Sequence, residues 1–160
     1  MIEVFNQLLK NIKKMTPEYM GRKVFMEKTL KKSVADLNRE QLLSGRGADG
    51  ELLPRYVDDP FFKSPESALR YQKWKSTISP GEKPADVMDF YIDGTFHRTI
   101  KFRKDDEGIM TFSESQIVGS VQRKTGNQAL GLNDESIEKI LPEFTEYVQD
   151  LLQKDLLKGV

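Results

Sequence analysis

An α+β fold is predicted for this 160-residue chain, with N-terminal helices, a short antiparallel β-hairpin and a long C-terminal helix. Three patterns predict it. Apolar residues recur at three- and four-residue intervals over 2–14 and again over 137–152. Between these stretches, apolar and polar residues alternate over 96–102, and a polar run then leads into a second β-prone segment at 109–112. The spacing of the patterns and the length suit one domain, 1–160. Its parts are a helical 1–44, a loop-rich 45–89 with a short helix, a hairpin over 90–114 and a helical 115–160.

In the first part, Ile2, Phe5, Leu8, Leu9 and Ile12 fall on one stripe of a helix, with Lys10, Lys13 and Lys14 off it. Thr16-Pro17 is a fresh start, since Thr caps free amides and Pro at the first helical position lacks the amide that would be orphaned. The second helix is expected to run from Pro17 into the thirties. Asn38 and Gln41 have the spacing of a reciprocal capping box, which predicts a short helical turn carrying Leu42 and Leu43. Gly45 through Gly50 ends it.

Ser64-Pro65-Glu66 repeats the cap-plus-Pro signal before Ala68, Leu69, Tyr71 and Trp74, giving a helix that ends near Thr77. Pro80, Gly81 and Pro84 mark a loop. Asp93-Gly94 is a tight-turn dipeptide. After it, Phe96, Ile100 and Phe102 alternate with Thr95, His97, Thr99 and Lys101 as in a half-buried strand, which places His97 on the face toward solvent or an interface. The strand at Ile109–Phe112 pairs with it, and a third strand around Phe90 to Ile92 is a further expectation. Asn133 caps the last helix, with Asp134 and Glu135 at its positive end and a stripe from Ile137 to Leu152. Pro142 predicts a kink or break in it.

Lys plus Arg and Asp plus Glu both number 25, but their distribution is polar. Residues 1–40 hold nine basic against five acidic side chains, and residues 133–160 hold three against seven. Such ends can attract one another within a protomer or between neighbouring copies. The absence of Cys excludes disulfides and thiol chemistry, and no stretch reaches the roughly 20 apolar residues of a membrane span, so a soluble, unprocessed chain is expected.

Chemical motifs are sparse. His97 is the single histidine and has no orienting partner in its neighbourhood of the sequence. Asp58-Asp59 and Asp105-Asp106-Glu107 are carboxylate groups that could ligate a hard cation or serve a hydrolase. Their spacing fits neither a Ca-binding loop nor a specific acid pair, and both read as turn material. Gly45-Arg46-Gly47-Ala48-Asp49-Gly50 is Gly-rich but lacks the preceding strand and the Gly-Lys-Ser/Thr of a phosphate loop. Arg22, Lys23, Lys28, Lys31 and Lys32 cluster, but aromatic residues are not interleaved with them as a nucleic-acid surface requires. The residues therefore predict no cofactor, metal or small-molecule substrate, and no enzyme. Gly45, Arg46, Gly47, Asp49, Gly50, Asp58, Asp59, Asp105, Asp106 and Glu107, in polar loops 45–63 and 103–108, are the candidates for contact with neighbouring subunits.

The ordered set Leu37-Asn38-x-x-Gln41-Leu42, a Gly/Asp loop with Tyr56, Asp93-Gly94-Thr95-Phe96, and Leu130-Gly131-Leu132 before a final helix resembles small virion proteins of tailed bacteriophages. Over about residues 36 to 150 the layout is similar to neck proteins of the head-tail connector or tail-completion type. Asp93-Gly94 stands where that group has Thr-Gly, and Pro142 interrupts the closing helix. The resemblance implies a non-enzymatic subunit of a cyclic homo-oligomer between portal and tail, assembled in the host bacterial cytoplasm. Its partners would be portal, adaptor or tail proteins. Two rivals are a phage hydrolase using Asp and Glu carboxylates and a monomeric module that binds a host factor.

Overall fold

The computed structural model describes residues 2–105 and 108–159. In chain order the elements are α1 (Ile2–Lys14), α2 (Pro17–Met26), α3 (Lys28–Leu43), a 3-10 turn (Tyr56–Asp58) and α4 (Pro65–Ile78). Then follow α5 (Thr95–Arg98), β1 (Ile100–Asp105), β2 (Gly108–Ser113), α6 (Val118–Thr125) and α7 (Asp134–Leu156). The predicted mixture of helices, one antiparallel hairpin and a long last helix is what the chain adopts. Thr16, Ser64 and Asn133 all cap the helices they were expected to start, accepting the amides of Tyr19, Ser67 and Ser136.

Helix α3 is the centre. It packs on β1 on one side and on α7 and α2 on the other. Ala35 and Leu42 of α3 join Leu53, Val87, Phe96, Ile100, Val121 and Ala129 in the main core. A smaller core forms around Tyr56, Ala68 and Met88. Phe90 packs against both.

Several expectations are corrected. The helix from Pro17 does not run into the thirties, because Glu27 adopts an extended conformation (φ −67°, ψ 124°) and separates α2 from α3. The change of direction lets both helices lie on α7, which one straight rod could not do. Asn38 and Gln41 do not open a helical turn but sit inside α3. A separation of three also places two residues on one helix face, and here that face is buried against the chain leading into α7. Asn38 donates to Gly131 O at 2.9 Å, and Gln41 donates to the same carbonyl at 3.1 Å. Gln41 Oε1 in turn accepts the Asn133 amide at 2.8 Å and the Ser136 hydroxyl at 3.3 Å.

Asp93-Gly94 does turn the chain, with Gly94 in the left-handed region at φ 77°, but the next residues form the one-turn helix α5 rather than a strand. Asp93 Oδ1 accepts the Thr95 amide at 2.8 Å and so favours a helical start. Phe96 and His97 are then both buried, where a strand would have separated them to opposite faces. The strand begins at Ile100, and β1 pairs antiparallel with β2 from Ile100 opposite Ser113 to Asp105 opposite Gly108. Residues 90–92 are not a strand. Pro142 does not break α7. Both Pro142 and Glu138, whose carbonyl loses its amide partner there, are exposed, so solvent can hydrate the carbonyl while packing on α2 and α3 holds the helix.

The oppositely charged ends do meet within the protomer, through amide and phenol groups. Asn11 is buried and donates to Leu156 O at 2.9 Å and Lys158 O at 3.0 Å, which occupies carbonyls left over at the end of α7. Tyr19 donates to Asp155 at 2.7 Å.

The Gln41 side chain holds the entry to α7, so Gln41→Ala is expected to lower stability by about 1–3 kcal/mol, the cost of leaving buried polar groups unmatched. Urea unfolding of both proteins measures it, and an unchanged midpoint would show that these bonds add nothing net.

Candidate assembly surfaces

The Gly45–Gly50 loop is built into its own protomer. Gly45 has φ 72°, and a Cβ there would lie 2.8 Å from Val87 Cγ1, so both conformation and space call for glycine. Gly47 donates to Glu51 O at 2.8 Å, the Ala48 amide to Gln128 O at 2.7 Å, and the Asp49 amide to Gln128 Oε1 at 3.0 Å. Gly45 and Gly47 are buried and Gly50 half-buried, leaving Arg46 and Asp49 as the exposed side chains. Arg46 is itself tied to Gly50 O at 2.7 Å.

Asp58 is exposed, but its neighbour Asp59 is buried, accepting from Lys124 and, at 3.0 Å, from the Phe61 amide. The Gly loop and Asp59 thus both rest on the end of α6 and the residues after it. Asp105 stands elsewhere, as the last residue of β1. Asp106 and Glu107 lie outside the described residues. No group of three or more His, Asp or Glu among the described residues is placed to hold a metal ion, and none of their helices is long and apolar enough to cross a membrane.

The densest electrostatics lie where the sequence reading put no site. Asp89 is fully buried and accepts from Lys75 at 2.7 Å, from the Ser79 hydroxyl and from the Tyr91 amide at 3.0 Å; Lys83 stands 3.9 Å away. Burial pushes the Asp89 carboxyl up, but these hydrogen bonds and the Lys75 charge outweigh it and hold the group below its ordinary range. Lys75 also donates to Tyr91 O. Phe90, between Asp89 and Tyr91, takes φ 56°, a conformation costing a non-glycine residue about 1–3 kcal/mol. The signal for this cluster was a lone carboxylate inside Val87-Met88-Asp89-Phe90-Tyr91-Ile92, since a charge embedded in an apolar run is buried only with partners.

His97, expected on an open face, is 4% exposed and packs against Tyr91 and Phe96. Its ring nitrogens have no hydrogen-bond partner of good geometry among the described residues. Burial depresses its pKa from 6.5 to about 4, with the Asp89 carboxylate opposing and the Lys75 charge reinforcing the shift.

Beside the cluster lies a cavity of about 390 Å³ walled by aromatic rings, Tyr56, Phe61, Phe62, Tyr71 and Phe90, with Lys124 at its edge. A larger open groove of about 780 Å³ runs between α3, the hairpin and the first half of α7. Leu30, Val34, Met110, Phe112, Ile137 and Ile140 supply much of its apolar wall. Next to it on α7, Leu141 is 54% exposed, flanked by exposed Glu138 and Glu146.

Helix α1 is the second open apolar surface. Its stripe is helical as expected but is not core: Ile2 is 77%, Phe5 60% and Ile12 54% exposed, and Asn11 is the side turned inward. An apolar ridge of this size is costly to leave in water unless another surface covers it.

The buried charges set the acid response. His97 is neutral in the fold but binds a proton near pH 6.5 when unfolded, so its contribution is complete above pH 6.5 and is lost as pH falls toward about 4. Asp89, depressed, adds a loss below the ordinary Asp range. Urea midpoints for the wild type should therefore decline from pH 6.5 to pH 4, and His97→Phe should flatten that slope. Lys75→Met should cost about 3–5 kcal/mol at neutral pH by stranding Asp89, with Lys75→Met/Asp89→Leu recovering part of it. Equal losses in the single and double variants would show that the pair is not coupled.

No known protein family, curated protein or solved structure matches this chain.

Proposed function

We propose that the chain is a structural virion protein of a tailed bacteriophage, a subunit of the head-tail connector, neck or tail-completion ring, assembled in the cytoplasm of the host bacterium. The observation that carries this reading is the pair of open apolar surfaces, the α1 ridge and the groove between α3, the hairpin and α7. Their scale suits docking of proteins better than enclosure of a small substrate. The order of sequence words that resembles neck proteins supplies the phage context.

The geometry also weighs against the hydrolase reading at Asp58-Asp59. Asp58 and Asp59 line one small pocket, but Asp59 is engaged there by Lys124 and a backbone amide, so the two are not a pair of free carboxylates. In this reading the subunit acts by shape. Each copy presents one patch to a different patch on the next, and the rotation between copies closes a ring that bridges portal and tail proteins.

Mass spectrometry of purified virions with copy-number estimation tests it. A few to about a dozen copies per particle is the expected result for a single cyclic ring. Absence from particles would refute the assignment, and hundreds of copies would move it to capsid decoration or the tail tube.

A further inference from the structure

We propose that the aromatic cavity beside the Asp89 cluster is a binding site for a small planar molecule of one or two rings that carries a carboxylate. The cavity shares no lining residue with the groove or with α1, so the inference goes beyond the ring reading and does not depend on it.

The walls select a flat apolar body. Phe61 meets Phe62 at 5.3 Å between ring centroids, Phe62 meets Tyr71 at 5.2 Å, and Tyr71 meets Tyr56 at 5.3 Å, so four rings form one continuous wall with Phe61 at its exposed end. Met88 and Val121 add apolar side chains. The volume of about 390 Å³ lies near the low end of the roughly 300–1,000 Å³ usual for small-molecule sites, which are typically lined by aromatic and apolar groups with a few polar ones among them.

The polar groups select the charge. The lining holds one carboxylate, Asp59, and two ammonium groups, Lys75 and Lys124. Both oxygens of Asp59 are engaged: Oδ1 accepts the Phe61 amide at 3.0 Å, and Oδ2 accepts from Lys124. Donors, by contrast, are in surplus. Of the three N–H groups on each ammonium, Lys75 commits two, to Asp89 and Tyr91 O, and Lys124 commits one, to Asp59. The buried Tyr56 hydroxyl has no hydrogen-bond partner of good geometry among the described residues. A cationic guest would meet two like charges and find the carboxylate taken. An anionic one would meet Lys124, which stands 5.8 Å from the Phe61 ring centroid and so sets its charge against the aromatic wall. Lys124 also borders the small neighbouring pocket, where Arg123 and Asp58 carry opposite charges.

Isothermal titration calorimetry of the full chain with indole-3-acetate, neutral indole-3-acetamide and cationic tryptamine tests ring and charge separately. The wild type is expected to bind indole-3-acetate with a Kd below about 1 mM, and roughly ten-fold or more tighter than either of the others. Asp59→Asn keeps an acceptor for the Phe61 amide while releasing Lys124, so it should tighten indole-3-acetate binding several-fold. Asp59→Asn/Lys124→Met strands no buried charge and should bring indole-3-acetate to the affinity of the amide. Phe61→Ala should weaken all three ligands with circular dichroism unchanged, since its side chain is exposed. Phe5→Asp on the α1 ridge should alter none of them.

Absence of saturable indole-3-acetate binding, equal affinity for the three ligands, or an affinity unmoved in the double variant overturns the site. Loss of binding in Phe5→Asp does so too, by moving the contact to the α1 ridge. None of these outcomes bears on the neck assignment, which stands or falls with the virion copy number.

Discussion

Three polar side chains within four residues of α3 fix the geometry on which everything else depends. Asn38 and Gln41 grip the segment from Gly131 to Ser136 that starts α7, while Arg39 reaches the other way, donating to His97 O at 2.7 Å and Ile100 O at 2.9 Å at the root of the hairpin. One helix therefore sets the spacing of hairpin and α7, the two remaining walls of the large groove. The choice of polar tethers has a physical reason. Apolar packing is non-directional and tolerates sliding, whereas a buried amide that leaves its carbonyl loses about 1–3 kcal/mol, so these bonds fix register as well as proximity.

The Asp89 cluster does the same for the loop-rich half. Segments 79–93 have little regular structure, and their chain direction is set instead by one carboxylate that gathers Lys75 from α4, Ser79 from its end and the Tyr91 amide. A buried ion pair adds little net stability relative to an apolar replacement, but stranding either partner is costly, which makes alternative packings expensive. Phe90 is forced to a positive φ at the point where the two apolar cores meet. The strain is tolerated because both cores hold its ring.

What the sequence revealed follows from how local each determinant is. Caps at Thr16, Ser64 and Asn133 act over three residues, and all three were readable. The hairpin was readable from Ile100 on, but the alternation over 96–102 that announced it overran into the one-turn helix α5. The misread places are those where one spacing serves two structures. Asn38-x-x-Gln41 is both a box and a helix face; Asp93-Gly94 opens a hairpin or caps a turn of helix; and only the tertiary surroundings decide. The break at Glu27 carries no Gly or Pro signal at all, since it arises from the gain of laying two helices on α7. Asp59 looked like loop carboxylate, and its Lys124 partner is 65 residues away, beyond any local pattern. Of the candidate site, the Gly loop was found as a turn, but its inward bonding to Gln128 was not, and the apolar stripe of α1 was taken from a pattern that cannot say whether it faces core or solvent.

That last ambiguity is where fold and function join. An amphipathic stripe records that something apolar lies opposite, without recording whether it is the same chain. In α7 the stripe is shared between α2, α3 and the groove; in α1 the inward face carries Asn11, which donates to Leu156 O at the end of α7, and Gln7, which donates to Asn11 and to Lys158 O just beyond it. Had α1 served the protomer's own core, Leu9 and Ile12 would have been the residues turned inward, with no amide needed there. An inward amide and an outward apolar ridge describe a helix fastened by its polar side so that its apolar side stays available.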